Sequence, residues 1–390
     1  MKKRIIIVTK ALWIGGIETA LVNLLKQFDY DRYDVTLLVL HAELNMQPQI
    51  DPRCRVLILD REITKSAELP YRYSHLYHLT ENSSNPSRFH QMMMWAVHAI
   101  KWIENRLYIL YVRDFLKGES FDTVIIYSDV VAETAIRAVK ANRYLMFYHH
   151  GDMRHVYHDA VAYHKCDKII TVSEQQSEAL RAFVPAVADK ITVVQNMLDP
   201  YGIRAKANEP LNEAFDKKHF HIVTVGRVSK EKGMDLAVQA CAILLHRGIS
   251  DFHWWIIGDG PEMPQLQTLI AELHLESYIT LTGMKGNPYP YIRAADLYVQ
   301  PSRVESFGLT IMEALMLDKP VVATKTFGAA ATITCPEYGV ICDVSAESIA
   351  VAVEELYQNR EKLHSLSNYH MAELAQGKNR EEITKLESIL

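Results

Sequence analysis

Cysteine is scarce in this chain. There are five in 390 residues: Cys54, Cys166, Cys241, Cys335 and Cys342. The number is odd and no C-x-x-C pair occurs, so neither a disulfide framework nor a zinc ribbon is supported. Long apolar runs are missing too. No stretch approaches the roughly 18 residues of a membrane span. The run Ile5 to Val8 after Lys2, Lys3 and Arg4 is too short for a signal-peptide core, and no small-residue cleavage site follows it. A reducing cytoplasm is the expected location. Nor is there an excess of positive charge: 42 Lys+Arg face 47 Asp+Glu, for a net charge of −5. Phosphate-backbone binding needs such an excess, so no nucleic-acid partner is expected. Fixed-period repeats and low-complexity tracts are also absent.

What is there is an ordinary globular composition, 49% apolar and 23% charged. The length suits two to three domains at about 100–200 residues each. Residues 1–204 hold 25 Lys+Arg and 23 Asp+Glu; the remainder holds 17 and 24. Short apolar runs alternate with helical periodicity. Arg4 to Thr9 reads as a buried strand, and Ile17, Ala20, Leu21, Leu24, Leu25 and Phe28 then recur at helix spacing. Further strands are read at 35–40, 56–59, 123–127, 145–148, 169–172 and 191–194. The rhythm pauses at Asp199-Pro200-Tyr201-Gly202, and residues 204–218 are polar, which places a linker there. Strands resume at 221–225, 252–257, 278–281, 297–299 and 320–323, and helices are expected at 345–356 and 361–375. Strands apolar on both faces and separated by helices predict parallel sheets covered on both sides. The expectation is two doubly wound α/β domains, 1–200 and 201–375, with a last helix at about 376–390.

One segment departs from this rhythm. Residues 89–116 read as a long helix with Met92, Met93, Met94, Trp95, Trp102, Tyr108 and Tyr111, and with Lys101, Arg106 and Arg113. A core helix with Met as gap filler is the plainer reading. A membrane-surface or acceptor-binding helix is the sharper one.

In doubly wound sheets, ligands sit beyond the carboxyl ends of strands. Gly15-Gly16-Ile17-Glu18 follows the first strand, where two glycines and a helix start could meet an anion. The same pair also fits a plain tight turn. No G-x-G-x-x-G occurs, which argues against a nicotinamide dinucleotide. Gly226-Arg227-Val228-Ser229-Lys230-Glu231-Lys232-Gly233 follows the first strand of the second domain. There Arg227 and Lys232 can reach a diphosphate, one as a planar fork and one as a point charge. Gly258-Asp259-Gly260-Pro261-Glu262 reads as mainly architectural. The most informative stretch is Pro301 to Ala314. Glu305 and Glu313 stand eight apart, and Gly308 opens a helix whose amides at Gly308, Leu309 and Thr310 can cradle an anion.

Gly-Gly-x-Glu, Gly-Arg-x4-Lys-Gly, Gly-Asp-Gly-Pro-Glu and Glu-x7-Glu, in this order, resemble the family 4 retaining glycosyltransferases of the GT-B fold. The likeness covers nearly the whole chain. The Glu-x7-Glu block with Phe307-Gly308-Leu309 is its most specific part. It implies two Rossmann-like domains facing a central cleft, with a nucleotide sugar on the second and an acceptor on the first. It implies that Arg227 and Lys232 hold the diphosphate, Glu305 faces the donor sugar and Glu313 holds the ribose. It makes Thr282-Gly283-Met284 the turn whose backbone reads the base, with Gly16, Phe307, Gly308, Leu309 and Thr310 completing the donor site. It implies that the last helix crosses back onto the first domain. His150, just before Gly151, fits the histidine that faces the reacting sugar better than its neighbour His149. The donor would be a UDP-sugar and the acceptor a saccharide or lipid-linked saccharide, with peripheral contact at the inner membrane face in a cell-envelope or exopolysaccharide role. No metal or other cofactor is expected.

Several features stand outside that pattern. Gly328-Ala329-Ala330-Ala331-Thr332 stands where the family often has paired glycines and a glutamate. Asp29-Tyr30-Asp31 mimics a metal motif but lies at the wrong end of the sheet, as a solvated turn. His155, His158 and His164 follow His150, yet nothing converges them on a metal. Two other activities share the same cradle: a nucleotide-sugar hydrolase or epimerase, and a non-catalytic partner subunit.

Overall fold

The computed structural model describes residues 2–13, 15–41, 49–59, 88–151, 153, 160–211, 215–216, 218–366 and 371–390; for 88–101, 160 and 371–373 it describes the backbone alone. Seven strands form the first sheet: β1 (Lys3–Thr9), β2 (Tyr33–Val39), β3 (Arg55–Ile58), β4 (Ser120–Ile126), β5 (Lys140–Tyr148), β6 (Lys168–Thr171) and β7 (Ile191–Val193). Their order is β3-β2-β1-β4-β5-β6-β7, every pair parallel. Six strands form the second: β8 (Phe220–Val225), β9 (Phe252–Ile257), β10 (Ile279–Leu281), β11 (Leu297–Gln300), β12 (Val321–Thr324) and β13 (Val340–Cys342). Their order is β10-β9-β8-β11-β12-β13, again all parallel. In each sheet the strand order reverses at the first strand. That puts a crevice beyond the carboxyl ends of β1 and β4, and another beyond those of β8 and β11.

Helices cover both faces of each sheet. The first domain carries α1 (Gly16–Gln27), α2 (Arg88–Phe115), α3 (Ala132–Ala138), α4 (Ala160–Lys165) and α5 (Glu174–Phe183). Then come α6 (Pro200–Lys206), α7 (Met234–His246), α8 (Met263–Glu272), α9 (Tyr289–Ala294), α10 (Leu309–Met316), α11 (Phe327–Thr332), α12 (Ala346–Gln358), α13 (Arg360–Ser365) and α14 (Met371–Ser388). The strand interiors are apolar on both faces, as sheets covered twice require: Ile5, Ile7, Val8, Ile222, Val223 and Val299 are fully buried. One apolar cluster runs from Ile5 and Leu145 in the first domain to Val223, Phe307 and Ile311 in the second.

Three local expectations need correction. The pause at Asp199-Pro200 is a helix start. Asp199 caps α6 by accepting from the Gly202 amide at 2.9 Å, and Pro200 takes the first turn, where its missing N–H is no loss. The single helix read at 361–375 is instead α13 ending at Ser365 and α14 beginning at Met371. Strand β13 was not read at all, because it has three residues, lies at the sheet edge and leaves Ile341 exposed.

Helix α14 lies against the first domain. The Glu382 carboxylate accepts from the Gln195 amide at 2.8 Å, Asn379 and Leu198 exchange hydrogen bonds, and Arg32 pairs with Glu387 at 3.0 Å. Over its described side chains, α2 mixes the two readings made of it. Ile109 and Val112 are buried, whereas Trp102, Ile103, Leu107 and Leu110 are exposed, with Arg106 stacked 4.9 Å from the Trp102 ring. Met92 to Trp95 lie outside the described side chains. Among the described residues, no helix is long and apolar enough to cross a membrane.

Candidate active site

The site grows from the loops that leave β8 and β11. After β8, Lys230–Lys232 make one tight turn and Gly233 leads into α7. The Glu231 carbonyl of that turn accepts from the amides of Arg303 (2.7 Å) and Val304 (3.1 Å) in the loop after β11. The Arg303 guanidinium also grips Asp235 through two hydrogen bonds of 2.7 and 2.6 Å. Two loops 70 residues apart are thus pinned by backbone and by a bidentate ion pair. Their polar tips then meet: Lys232 Nζ lies 2.6 Å from Glu305 Oε2.

The Glu305 loop ends at Gly308, whose φ of +78° admits glycine far better than any other residue. That bend starts α10, and the first amides of a helix have no partner within it. An anion is favoured there by those N–H groups and by the helix dipole. The side chains around the bend face inward. Phe307 is buried in the core, Leu309 packs against Gly16 of the first domain, and the Thr310 hydroxyl donates to Gln300 Oε1 at 2.9 Å. These residues can therefore serve a ligand through backbone alone. The divergent stretch at Gly328 braces the same bend, its amide donating to the Glu305 carbonyl at 2.8 Å.

Glu313 lies one and a half turns further along α10 and is buried. The Tyr289 hydroxyl donates to its Oε1 at 3.0 Å. Burial pushes its carboxyl up to about 7, against the lowering effects of the Tyr289 bond and of Lys206. Arg227 is exposed; its charge acts on Glu18, whose carboxyl folds back over Gly15 and is raised chiefly by burial. Met284 holds its side chain in solvent. The adjoining Gly283 carbonyl accepts from the Gly258 amide at 3.0 Å, which ties this turn to the Gly258 loop packed on Gly226.

The first domain supplies the facing edge. His150 Nε2 is 3.0 Å from Asp129 Oδ1, and Asp129 is almost fully buried. The His150 carbonyl accepts from Gln176 Nε2 at 2.5 Å. His149 points the other way. It stacks on Phe147, is held neutral by burial with its pKa lowered to about 4, and its Nε2 has no hydrogen-bond partner among the described residues. Its carbonyl accepts from Ser306 Oγ at 2.6 Å, across the cleft. Gly151 sits directly on the second domain: a Cβ there would lie 2.5 Å from Val304 Cγ1 and 3.1 Å from the Glu305 backbone. The structure thus brings Gly16, His150, Lys232, Glu305, Gly308 and Leu309 around one bend. Asp129, Tyr289, Gln300 and Ser302 were missed in the sequence. Asp129 could have been suspected from its place just beyond β4. Ser302 lies within the Pro301 to Ala314 stretch but carries no distinguishing signal there, and Tyr289 and Gln300 belong to no motif.

Among the described residues, no group of three or more His, Cys, Asp or Glu is placed to hold a metal ion. His155 and His158 lie outside those residues. Asp29 accepts from the Asp31 amide in the turn before β2, away from the cleft.

Residues 206–372 match the family model described as Glycosyl transferases group 1. The matched segment spans less than half of the chain. It holds the Lys232–Glu305 pair, Gly308 and Glu313. An uncharacterized glycosyltransferase of Methanocaldococcus jannaschii is 26% identical over 46% of this chain and 44% of its own length. The alpha-D-kanosaminyltransferase of Streptomyces kanamyceticus is 33% identical over 36% of this chain and 37% of its own. The chain spans less than half the length of these curated relatives. Among solved structures, Anabaena HepE in complex with UDP and glucose superposes with a TM-score of 0.70 at 17% identity, covering 99% of this chain and 98% of that one. Staphylococcus aureus TarM gives 0.71 at 12%, covering 98% and 99%. The fold of the chain is accordingly GT-B.

Proposed function

We propose that this chain is a retaining glycosyltransferase moving a hexose-type sugar from a UDP-sugar to a hydroxyl of a saccharide or lipid-linked acceptor, without a metal ion. The observation that carries the reading is the Lys232–Glu305 pair at the amide-lined start of α10, with the His150 turn of the other domain seated on the same loop. In the reaction, the bond from the anomeric carbon to the diphosphate breaks and its electron pair leaves with the phosphate. The acceptor oxygen bonds to that carbon from the same face, and its proton passes to the departing phosphate oxygen. Neither glutamate forms a covalent bond. The difficulty is the charge gathering on the leaving group. Lys232, Arg227 and the helix amides stabilise that charge more as it grows, which lowers the barrier. Lys232 is held by Glu305 at 2.6 Å, which fixes the ammonium beside the start of α10. The alpha-D-kanosaminyltransferase supports a sugar transfer by its name, and the HepE structure holds UDP.

The test is turnover in EDTA. Wild type should release nucleoside diphosphate when offered donor and acceptor. An Arg227→Ala, Lys232→Ala double variant should lose about a thousandfold, at roughly 1.5–3 kcal/mol for each charge-assisted contact. Unchanged release in the double variant would reject the proposal. Steady turnover to free or isomerised sugar without any acceptor would favour a hydrolase or epimerase.

A further inference from the structure

A line of buried polar side chains runs behind Glu305. Tyr298 is fully buried and its hydroxyl lies 2.6 Å from Gln300 Oε1. The Thr310 hydroxyl lies 2.9 Å from the same oxygen. Gln300 Nε2 is 2.8 Å from Ser302 Oγ, and Ser302 Oγ is 3.3 Å from Glu305 Oε2. Gln300 and Ser302 are both shut off from solvent. Their backbone is fixed as well, since Thr324 Oγ1 donates to the Ser302 carbonyl at 2.5 Å.

The direction of every proton in this line follows from its last member. An ionised carboxylate accepts only, so Ser302 must donate to Glu305. A hydroxyl has one proton, so Ser302 must accept from Gln300, which turns the amide nitrogen of Gln300 toward it. Gln300 Oε1 then faces Tyr298 and Thr310, and its two lone pairs take one hydroxyl each. This arrangement satisfies all five groups. Buried polar lines of this kind define one geometry, because a partly satisfied alternative leaves a group unpaired.

We infer that Gln300 and Ser302 are positioning residues. They hold the Glu305 carboxylate toward the sugar and tie it, through Thr310, to the first turn of α10, where the diphosphate would bind. The inference rests on the transferase reading for its kinetic consequence, but not for its geometry. Lys232 grips the same Oε2 from the solvent side. That pair alone would let the carboxylate swing with the lysine when a donor draws Lys232 away. The Ser302 bond is what remains to hold it.

Two substitutions cut the line at different points. Ser302→Ala removes the last donor. Gln300→Met keeps the length but has no proton for Ser302, whose hydroxyl is then free to turn away from Glu305. Each should lower kcat about tenfold and leave the KM for donor within about twofold. The double variant should lose no more than either single one, because both break the same line. A merely structural role would instead lower thermal stability and give additive losses. Additive losses, or an unchanged kcat in Ser302→Ala, would overturn the inference. A crystal structure of Ser302→Ala gives a readout independent of turnover. The Glu305 carboxylate should be rotated away from its present position, and an unmoved carboxylate would overturn the line even if wild type proved to transfer no sugar. Failure of wild type with every nucleotide sugar, alongside a rotated Glu305, would sink the transferase reading and leave the relay standing.

Discussion

The two edges of the cleft are held in different ways. The edge at Val304 to Gly308 is supported from within its own domain: by Glu231 carbonyl bonds, by the Arg303–Asp235 pair, by the Gly328 amide and by the buried line through Gln300. The edge at His149 to Gly151 is held by the Asp129 contact, by Gln176 and by ring packing of His149 on Phe147 and Tyr127, and it also rests on the opposite edge through Ser306 and Val304. The difference matches what each would have to do. A leaving diphosphate needs donors already in place, since reorganising them would cost the stabilisation they provide. A domain that receives varied acceptors can take its position from the partner it closes upon.

That contrast can be broken most strongly at Gly151. A Gly151→Ala methyl would meet Val304 and the Glu305 backbone, so the first-domain edge must back away. Misplacement of about 1 Å can cost on the order of a hundredfold in rate. We expect such a loss in kcat with donor affinity intact by calorimetry, because the donor edge supports itself. Weakened donor binding would show that the two edges are not independent.

A smaller effect is expected from Asp129→Asn. Asp129 Oδ1 lies 3.0 Å from Nε2 of the His150 imidazole. The substitution keeps the shape and removes the charge. A fall in kcat of about tenfold is expected at unchanged donor KM. Equal rates in the variant would mean that the charge of Asp129 does not place the imidazole.

An effect on stability rather than on rate should come from Glu313 and should depend on pH. Burial holds its carboxyl at about 7, above the ordinary 4.5, so the folded protein retains a proton that the unfolded chain gives up. That stabilisation is complete below the unfolded value and is lost as pH rises to about 7. Between those limits the slope is roughly 1.4 kcal/mol per pH unit. Glu313→Gln should remove this slope, so urea unfolding at pH 5 and pH 8 should differ less in the variant than in wild type. Equal pH dependence in the two proteins would refute the assignment of that proton to Glu313.

Much of this could be read along the chain, though not evenly. Strands such as Ile5 to Val8 and Phe252 to Ile257 were legible because a parallel strand covered on both faces is apolar at every position. Strand β13 was not, since three half-exposed residues carry no period. Helix α6 was misread because Asp-Pro marks both a turn and a helix start, and only the capping bond separates them. In the site, Lys232, Glu305 and Gly308 stood out because each follows a buried strand with glycine nearby. Gln300 and Tyr298 lie inside a strand, where a polar residue reads as an interruption.

Composition, strand pattern and loop position by themselves determined two parallel α/β domains and the loops that would carry an anion site. Those are local properties: which residues avoid water, and where the backbone can bend. Only the tertiary structure decided that Lys232 meets Glu305, that Asp129 meets His150, and that Ser306 reaches the His149 carbonyl 157 residues away. Hydrogen bonds act over about 3 Å, and which groups come that close is set by how the two sheets pack, a relation that no single segment encodes.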